Sequence, residues 1–459
     1  MIAKLLTAAA LLLPAAAQAQ TVRVAEGRLQ GTTAEGIASF KGIPFAAPPV
    51  GPLRWRAPQP AAHWTGTRDA SAYRNDCMQK PFESDAAPLG TPPSEDCLYA
   101  NVWRPAGGAK KLPVLVWIYG GGFVNGGSSP PTYTGAELAK QGILMVSFNY
   151  RLGRFGTFAH PALTAANADH GLLADYGYMD QIAALRWIRR NIAAFGGDPR
   201  NVTIIGESAG GMSVHTLVTS PMAKGLFQRA IVMSGGDGRN NDATLAKAEA
   251  GGTAFAADKG IAANDPQALA KLRALPAEQV IDNLNLASRA LDGSRTYLPP
   301  IADGRIAVEP IAAYRSGAFV HVPMMIGATS DDIAGPKGFM IAGAREMAAL
   351  IASKDVPVHY YRFDYVAESL RTPQTKGAGH ASDIPFFFHT EAIKYGADTT
   401  PRDRQAGAVA SAYIVAFAKT GNPNGPGRPA WGTMASGTGP MLMLGMDGGA
   451  SVMEDPLAP

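Results

Sequence analysis

The sequence predicts an α/β fold, with a large, mostly parallel central sheet, helices on both faces and helical insertions. Three observations carry this. Short apolar or β-branched runs stop abruptly at glycine or a polar residue, stretches of helical periodicity separate them, and 459 residues contain no internal repeat or long low-complexity linker. Near-continuous apolar runs suit strands covered on both faces, and their alternation with helices points to parallel pairing. One elaborated domain over residues 20–459 fits this pattern better than three domains of average length.

The chain opens on MIAKLLTAAALLLPAAAQAQ, with an early lysine, an apolar stretch and small residues after it. Ala17-Gln18-Ala19 fits an A-x-A cleavage site, so residues 1–19 are read as a signal peptide. The apolar core is too short to span a bilayer, and no cysteine near the cut offers a lipid attachment point. A soluble product exported to the periplasm or beyond is therefore expected. Cys77 and Cys97 are the only cysteines. In an oxidising compartment such a pair favours a bridge over two buried thiols, worth roughly 3 kcal/mol by restricting the unfolded chain.

Five runs read as core strands. Val114–Tyr119 leads into Gly120-Gly121-Gly122, Ile143–Tyr150 into Arg151-Leu152-Gly153, Val202–Ile205 into Gly206, Ala230–Met233 into Ser234-Gly235, and Pro323–Ile326 into Gly327. Over Asp175–Phe195 the periodicity predicts a helix with Ile182, Leu185, Ile188 and Ile192 inward and Arg186, Arg189 and Arg190 in water. Residues from about 238 to 320 are rich in alanine and charge and read as a helical insertion. VHYYRF and the late MLML read as further strands.

Composition narrows the partners. Apolar residues make up 46% and charged residues 17%, with a formal charge of only +4, and no Lys/Arg-rich run is present to grip phosphates. Nucleic acid is not expected as a partner. A single cysteine pair cannot form a zinc site unaided, and no CxxC or HExxH occurs.

Gly206-Glu207-Ser208-Ala209-Gly210 decides the chemistry. It is the one G-x-S-x-G in the chain, preceded by the strand-like NVTII and followed by the helix-compatible AGGMSVHTLV. Such a strand–turn–helix is so tight that side chains two residues either side of the serine would clash, and it lifts the hydroxyl into a cleft. A nucleophilic serine needs a base, an acid to orient that base, and donors for the oxyanion. On this architecture acid and base follow the serine in that order. Two aspartates, Asp331 and Asp332, stand side by side in GATSDDIAG, and either could serve. Of the histidines beyond them, His359 lies within the strand VHYYRF and His389 follows three phenylalanines, both better read as packing. His380 sits among small residues in KGAGHASD, where an imidazole can project. The run Gly120-Gly121-Gly122-Phe123, with Ala209, can supply backbone N–H groups; a phosphate loop is excluded there, since no Lys-Ser/Thr follows at the required spacing.

The chain resembles the type-B carboxylesterases, which include the cholinesterases, within the α/β-hydrolase fold. The likeness runs through FKGIPFAAPPVGPLRWRAPQP, SEDCLYANVWRP, WIYGGGF, FNYRLGRFG, FGGDPRNVTIIGESAGGMSV, GAGHASDIPFFF and FAKTGNPN. It implies Ser208 as nucleophile, His380 as base, and Gly121, Gly122 and Ala209 as oxyanion donors. It also implies a Cys77–Cys97 disulfide. The family's acid falls on Asp332, with Asp331 in reserve. Glu207, Ser234 and Asp383 match a polar layer beneath the triad; a bland reading, polar groups that merely satisfy one another, stays open beside it. The implied activity is broad-specificity hydrolysis of small-molecule carboxylic esters, which requires no metal or organic cofactor.

Three departures bear on that activity. The acid is Asp rather than the usual Glu, so its loop must come closer to His380. Only 48 positions separate Asp332 from His380, which suggests missing helices and an open cleft that accepts bulky esters. The 77–97 loop has no tryptophan to face a quaternary ammonium, so a choline ester is not the favoured substrate. The same triad serves lipases, thioesterases and amidases, and a non-catalytic binding module is the alternative outside the enzymes; a full set of Ser208, His380 and Asp332 argues against the latter.

Overall fold

The computed structural model describes residues 18–238, 243–288, 296–435 and 439–457. The leader expected at 1–19 lies outside them except for Gln18 and Ala19, which open the first strand. The described strands in chain order are β1 (Gln18–Val24), β2 (Gly27–Ala34), β3 (Ile37–Pro44), β4 (Thr67–Asp69), β5 (Asp76–Cys77), β6 (Pro93–Ser94), β7 (Tyr99–Pro105), β8 (Leu112–Ile118), β9 (Leu144–Phe148), β10 (Gly197–Glu207), β11 (Arg229–Met233), β12 (Met324–Thr329), β13 (Val358–Phe363), β14 (Pro440–Leu444) and β15 (Ala450–Glu454). Among the described residues they build a 13-stranded sheet, ordered β1-β2-β3-β7-β9-β8-β10-β11-β12-β13-β14-β15 with β4 beside β2, and a small β5–β6 pair.

The centre, from β9 through β8 to β14, is parallel. Its runs are buried along their length, as VLVWI and MMIGAT require of strands covered on both faces. Both edges are antiparallel apart from the short β4, which runs parallel to β2. At the tight hairpins the linkers dictate this. β2 and β3 are joined by Glu35-Gly36, both at positive φ, a two-residue turn whose twist suits a hairpin. Parallel neighbours need a long crossover that so short a link cannot provide.

Helices cover the sheet on both faces. Tyr176–Asn191 buries Ile182, Leu185 and Ile188 and leaves Arg186, Arg189 and Arg190 in water; a 3-10 turn over Ile192–Phe195 then ends at Gly196, at φ +89°. Ala209–Thr219 packs on β8, β10 and β11, Phe339–Ala352 on β12 and β13, and Pro401–Thr420 on β8 and β10. Between β11 and β12 lie the helices Leu245–Asp258, Ala268–Ala274, Ala277–Ile281 and Pro310–Ser316. Among the described residues, no helix is long and apolar enough to cross a membrane.

Strand order fixes where chemistry can occur. After β8 the chain places β9 on one side of it, then crosses back to lay β10 on the other. At such a reversal the connections leave in opposite directions and open a crevice beyond the carboxyl ends of the strands. Gly120-Gly121-Gly122 follows β8 at that crevice and Ser208 follows β10.

Candidate active site

Ser208 stands between the end of β10 and the helix Ala209–Thr219, at φ +55° and ψ −123°. A non-glycine residue holds that conformation at a cost of about 1–3 kcal/mol, so neighbours must enforce it. They do. The Ser208 N–H donates to Met233 O at 3.0 Å. A Cβ on Gly206 would sit 2.3 Å from Gly210 O, and one on Gly210 would sit 2.0 Å from Ile118 O. Glycine at both positions is therefore a requirement of the turn.

The structure brings His380 and Asp332 to this serine. His380 Nε2 lies 2.9 Å from Ser208 Oγ, and its Nδ1 lies 2.6 Å from Asp332 Oδ1. Of the two neighbouring aspartates, Asp332 turns inward and Asp331 stays exposed. Asp331 contributes through its backbone: its N–H donates to Ala378 O at 2.9 Å, while the Ala378 N–H donates to Ser330 Oγ at 2.9 Å. The loop after β12 and the loop carrying His380 are thereby stitched together, which lets the shorter aspartate reach the imidazole.

Asp332 accepts further bonds from Ser234 Oγ at 2.6 Å, the Ile333 N–H at 2.7 Å and the Thr329 N–H at 3.3 Å. Its burial favours the neutral form, but His380, Ser234 and Ile333 outweigh that and hold the carboxyl below its ordinary range. Glu207 is buried with Oε1 3.3 Å from His380 Nε2, close enough for attraction but without hydrogen-bond alignment. Burial first, then the charge of Asp332, pushes Glu207 up to about 7 against the pull of His380. Asp383, wholly buried, is pushed well above its ordinary range by burial and by Glu207 and Asp332. For His380, burial opposes charge, yet Glu207, Asp332 and Asp383 together push it up to about 9. A carboxyl that is itself neutral cannot support an imidazolium, so at neutral pH Asp332 is the steadiest source of the upward shift.

Gly121 and Gly122 turn at φ +95° and +62° beside the serine, and Ala209 opens its helix, where an N–H has no carbonyl of its own helix to meet. These groups and the serine line a cavity of about 850 Å³. Its walls are largely apolar, with Phe82, Met212, Phe339, Leu370, Ile384 and Tyr395 among them. Phe82 is the aromatic that the 77–97 loop presents where no tryptophan is available. Leu286, Ile333, Phe339 and Leu370 belong both to this lining and to the exposed large apolar side chains. Among the described residues, no cluster of three or more His, Cys, Asp or Glu is arranged to hold a metal ion.

The carboxylesterase family model matches residues 18–337 and 334–455. The chain belongs to the carboxylesterase family. Para-nitrobenzyl esterase of Bacillus subtilis is similar to this family member at 35% identity, covering 88% of this chain and 91% of that protein. Fumonisin B1 esterase of Sphingopyxis macrogoltabida is 38% identical over 70% of this chain and 58% of its own length. A solved para-nitrobenzyl esterase structure superposes with a TM-score of 0.83 at 31% identity, covering 95% of this chain and 97% of that one.

Cys77 and Cys97 of this carboxylesterase-family chain are joined as a disulfide. His359 and His389 lie away from the serine: His359 packs against Phe417 and Trp431, and His389 faces Glu391. Sequence reasoning did not single out Gln79, Asn125 or the apolar wall residues. No short motif marks them, and only the folded chain shows what they touch.

Proposed function

We propose that this protein hydrolyses carboxylic esters of small molecules through a covalent acyl-enzyme, with Ser208 as nucleophile, His380 as base and Asp332 as the acid that orients it. The observation that carries this reading is the continuous relay Ser208 Oγ–His380 Nε2 at 2.9 Å and His380 Nδ1–Asp332 Oδ1 at 2.6 Å. With Nδ1–H donating to Asp332, Nε2 accepts the serine proton as Oγ attacks the carbonyl carbon. The N–H groups of Gly121, Gly122 and Ala209 receive the oxyanion of the tetrahedral intermediate. His380 then gives its proton to the departing alcohol, and the same steps with water release the acid. Ser234 fixes the second oxygen of Asp332, which favours the positioning reading of that residue over the bland one.

A fluorophosphonate probe tests the assignment. Labelling should stop turnover of p-nitrophenyl butyrate, and peptide mapping should place the adduct on Ser208; an adduct on any other residue would overturn it. The wide apolar cavity supports a preference for bulky aryl or alkyl esters over choline esters. A panel in which acetates are cleaved and bulky esters are refused would count against that preference. Faster turnover of emulsified long-chain esters than of soluble ones would favour a lipase.

The rate should depend on pH in one direction. Attack needs neutral His380, and its raised pKa keeps imidazolium present above the ordinary 6.5. kcat/KM should therefore rise from pH 6 toward about 9 and fall in acid, and Glu207→Gln, which removes one supporting charge, should move the midpoint down. A profile flat from pH 5 to 9 would rule out His380 as the base. Export follows from the leader read at 1–19 and the disulfide; periplasmic or secreted location is part of the same proposal.

A further inference from the structure

The proposed oxyanion loop has little beyond its own main-chain turn bonds to hold it in place. Gly121, Gly122 and Gly126 all sit at positive φ. Glycine reaches such conformations easily but loses the most freedom when fixed there. A loop this rich in glycine has few side chains of its own to anchor it, yet oxyanion donors act only if held before the reaction begins. The anchoring must therefore come from bonds that tie the turn to other segments of the chain.

Two buried amides supply it. Gln79, 4% exposed, accepts from the Gly126 N–H at 2.9 Å and donates to Gly126 O at 2.6 Å, gripping both main-chain groups of that glycine. It also donates to Cys77 O at 2.9 Å, beside the disulfide, and accepts from Asn125 Nδ2 at 3.1 Å. Both donors and both lone pairs of its amide are used. Asn125, 1% exposed, donates as well to Lys80 O at 2.9 Å and accepts from the Leu286 N–H at 2.7 Å. Its main chain completes the turn, with its N–H bonded to Gly121 O at 3.0 Å and its carbonyl 2.3 Å from where a Cβ on Gly121 would stand. Holding Asn125 therefore also holds the carbonyl of Gly121.

We infer that Gln79 and Asn125 are positioning residues for the oxyanion hole, clamping the turn 121–126 to the disulfide-bounded loop on one side and to the segment at Leu286 on the other. Neither side chain is given a role at the reacting atoms; each acts through Gly121 and Gly122. The inference rests on the ester-hydrolase reading, which the wild-type protein tests separately: failure to turn over p-nitrophenyl butyrate would strike that reading before any variant is made.

Gln79→Met keeps the bulk and removes all four bonds. Active sites are counted by fluorophosphonate titration, so that misfolded protein drops out. Per titrated site, kcat should fall about tenfold to a hundredfold, up to the cost of misplacing an oxyanion donor and short of losing one, while KM moves by less than about threefold. A trifluoromethyl ketone, whose adduct with the serine carries an oxyanion, should lose affinity by a matching factor. The midpoint of the pH profile should stay where it is. A kcat per site within about twofold of wild type, or a lower kcat with unchanged trifluoromethyl ketone affinity, would overturn the inference. Should Gln79→Met fail to fold, Asn125→Ala carries the same test, since it removes the bonds to Gln79, Lys80 and Leu286 and leaves Gln79 paired with Gly126.

Discussion

Ser208→Ala is expected to lower kcat on p-nitrophenyl butyrate by about 10⁶ and to abolish fluorophosphonate labelling, because the reaction then loses its covalent route. Alanine keeps the Cβ, so it inherits the same φ of +55° and the same close contacts at Gly206 and Gly210. The fold should therefore survive, with an unchanged thermal midpoint, and the loss can be assigned to the hydroxyl. Residual catalysis of about 10³ over water is still expected, since the cavity and the backbone donors act without the serine. A variant that keeps a tenth of wild-type kcat would show that some other group attacks the ester. His380→Ala should behave almost identically, as members of a relay act as a unit rather than as additive parts.

How much of this was legible in the sequence depends on how local the physics is. The core strands β8 to β12 could be read because burial on both faces leaves an uninterrupted apolar run. The elbow could be read because its tightness forces glycine at 206 and 210. His380 could be read because it alone of the late histidines stands in a small-residue loop. β2 and β15, on the antiparallel edges, were missed for the converse reason: β2 alternates exposed and buried residues, and β15 is mostly exposed, so neither shows a continuous run. Gln79 and Asn125 were invisible on different grounds. Asn125 stands 46 positions from Gln79 and 161 from Leu286, and a lone amide has no signature until such distant partners are in contact. Choosing between Asp331 and Asp332 failed locally for the simplest reason: adjacent residues on a turn face opposite ways, and only the path of the chain leaving β12 says which faces Ser234.

That choice gives the second large effect. Asp332→Ala should lower kcat by about 10³–10⁴, whereas Asp331→Ala should leave it within about twofold. Asp332 is 3% exposed and gathers four donors, from His380, Ser234, Ile333 and Thr329. Without its carboxylate the imidazole loses the partner that keeps the proton on Nδ1, so Nε2 is no longer reliably free to accept from Ser208. Three further donors then face a void, and leaving buried groups unpaired costs about 1–3 kcal/mol each. A lower thermal midpoint should accompany the lost rate. At Asp331 the group in use is the backbone N–H, bonded to Ala378 O, which alanine retains; the side chain points to water. Asp332→Asn separates the two effects. It keeps the shape and part of the bonding but removes the charge, so stability should recover toward wild type while kcat stays depressed by a comparable factor. Equal, mild losses at both positions would mean that neither aspartate orients His380 and that its proton is placed by another group.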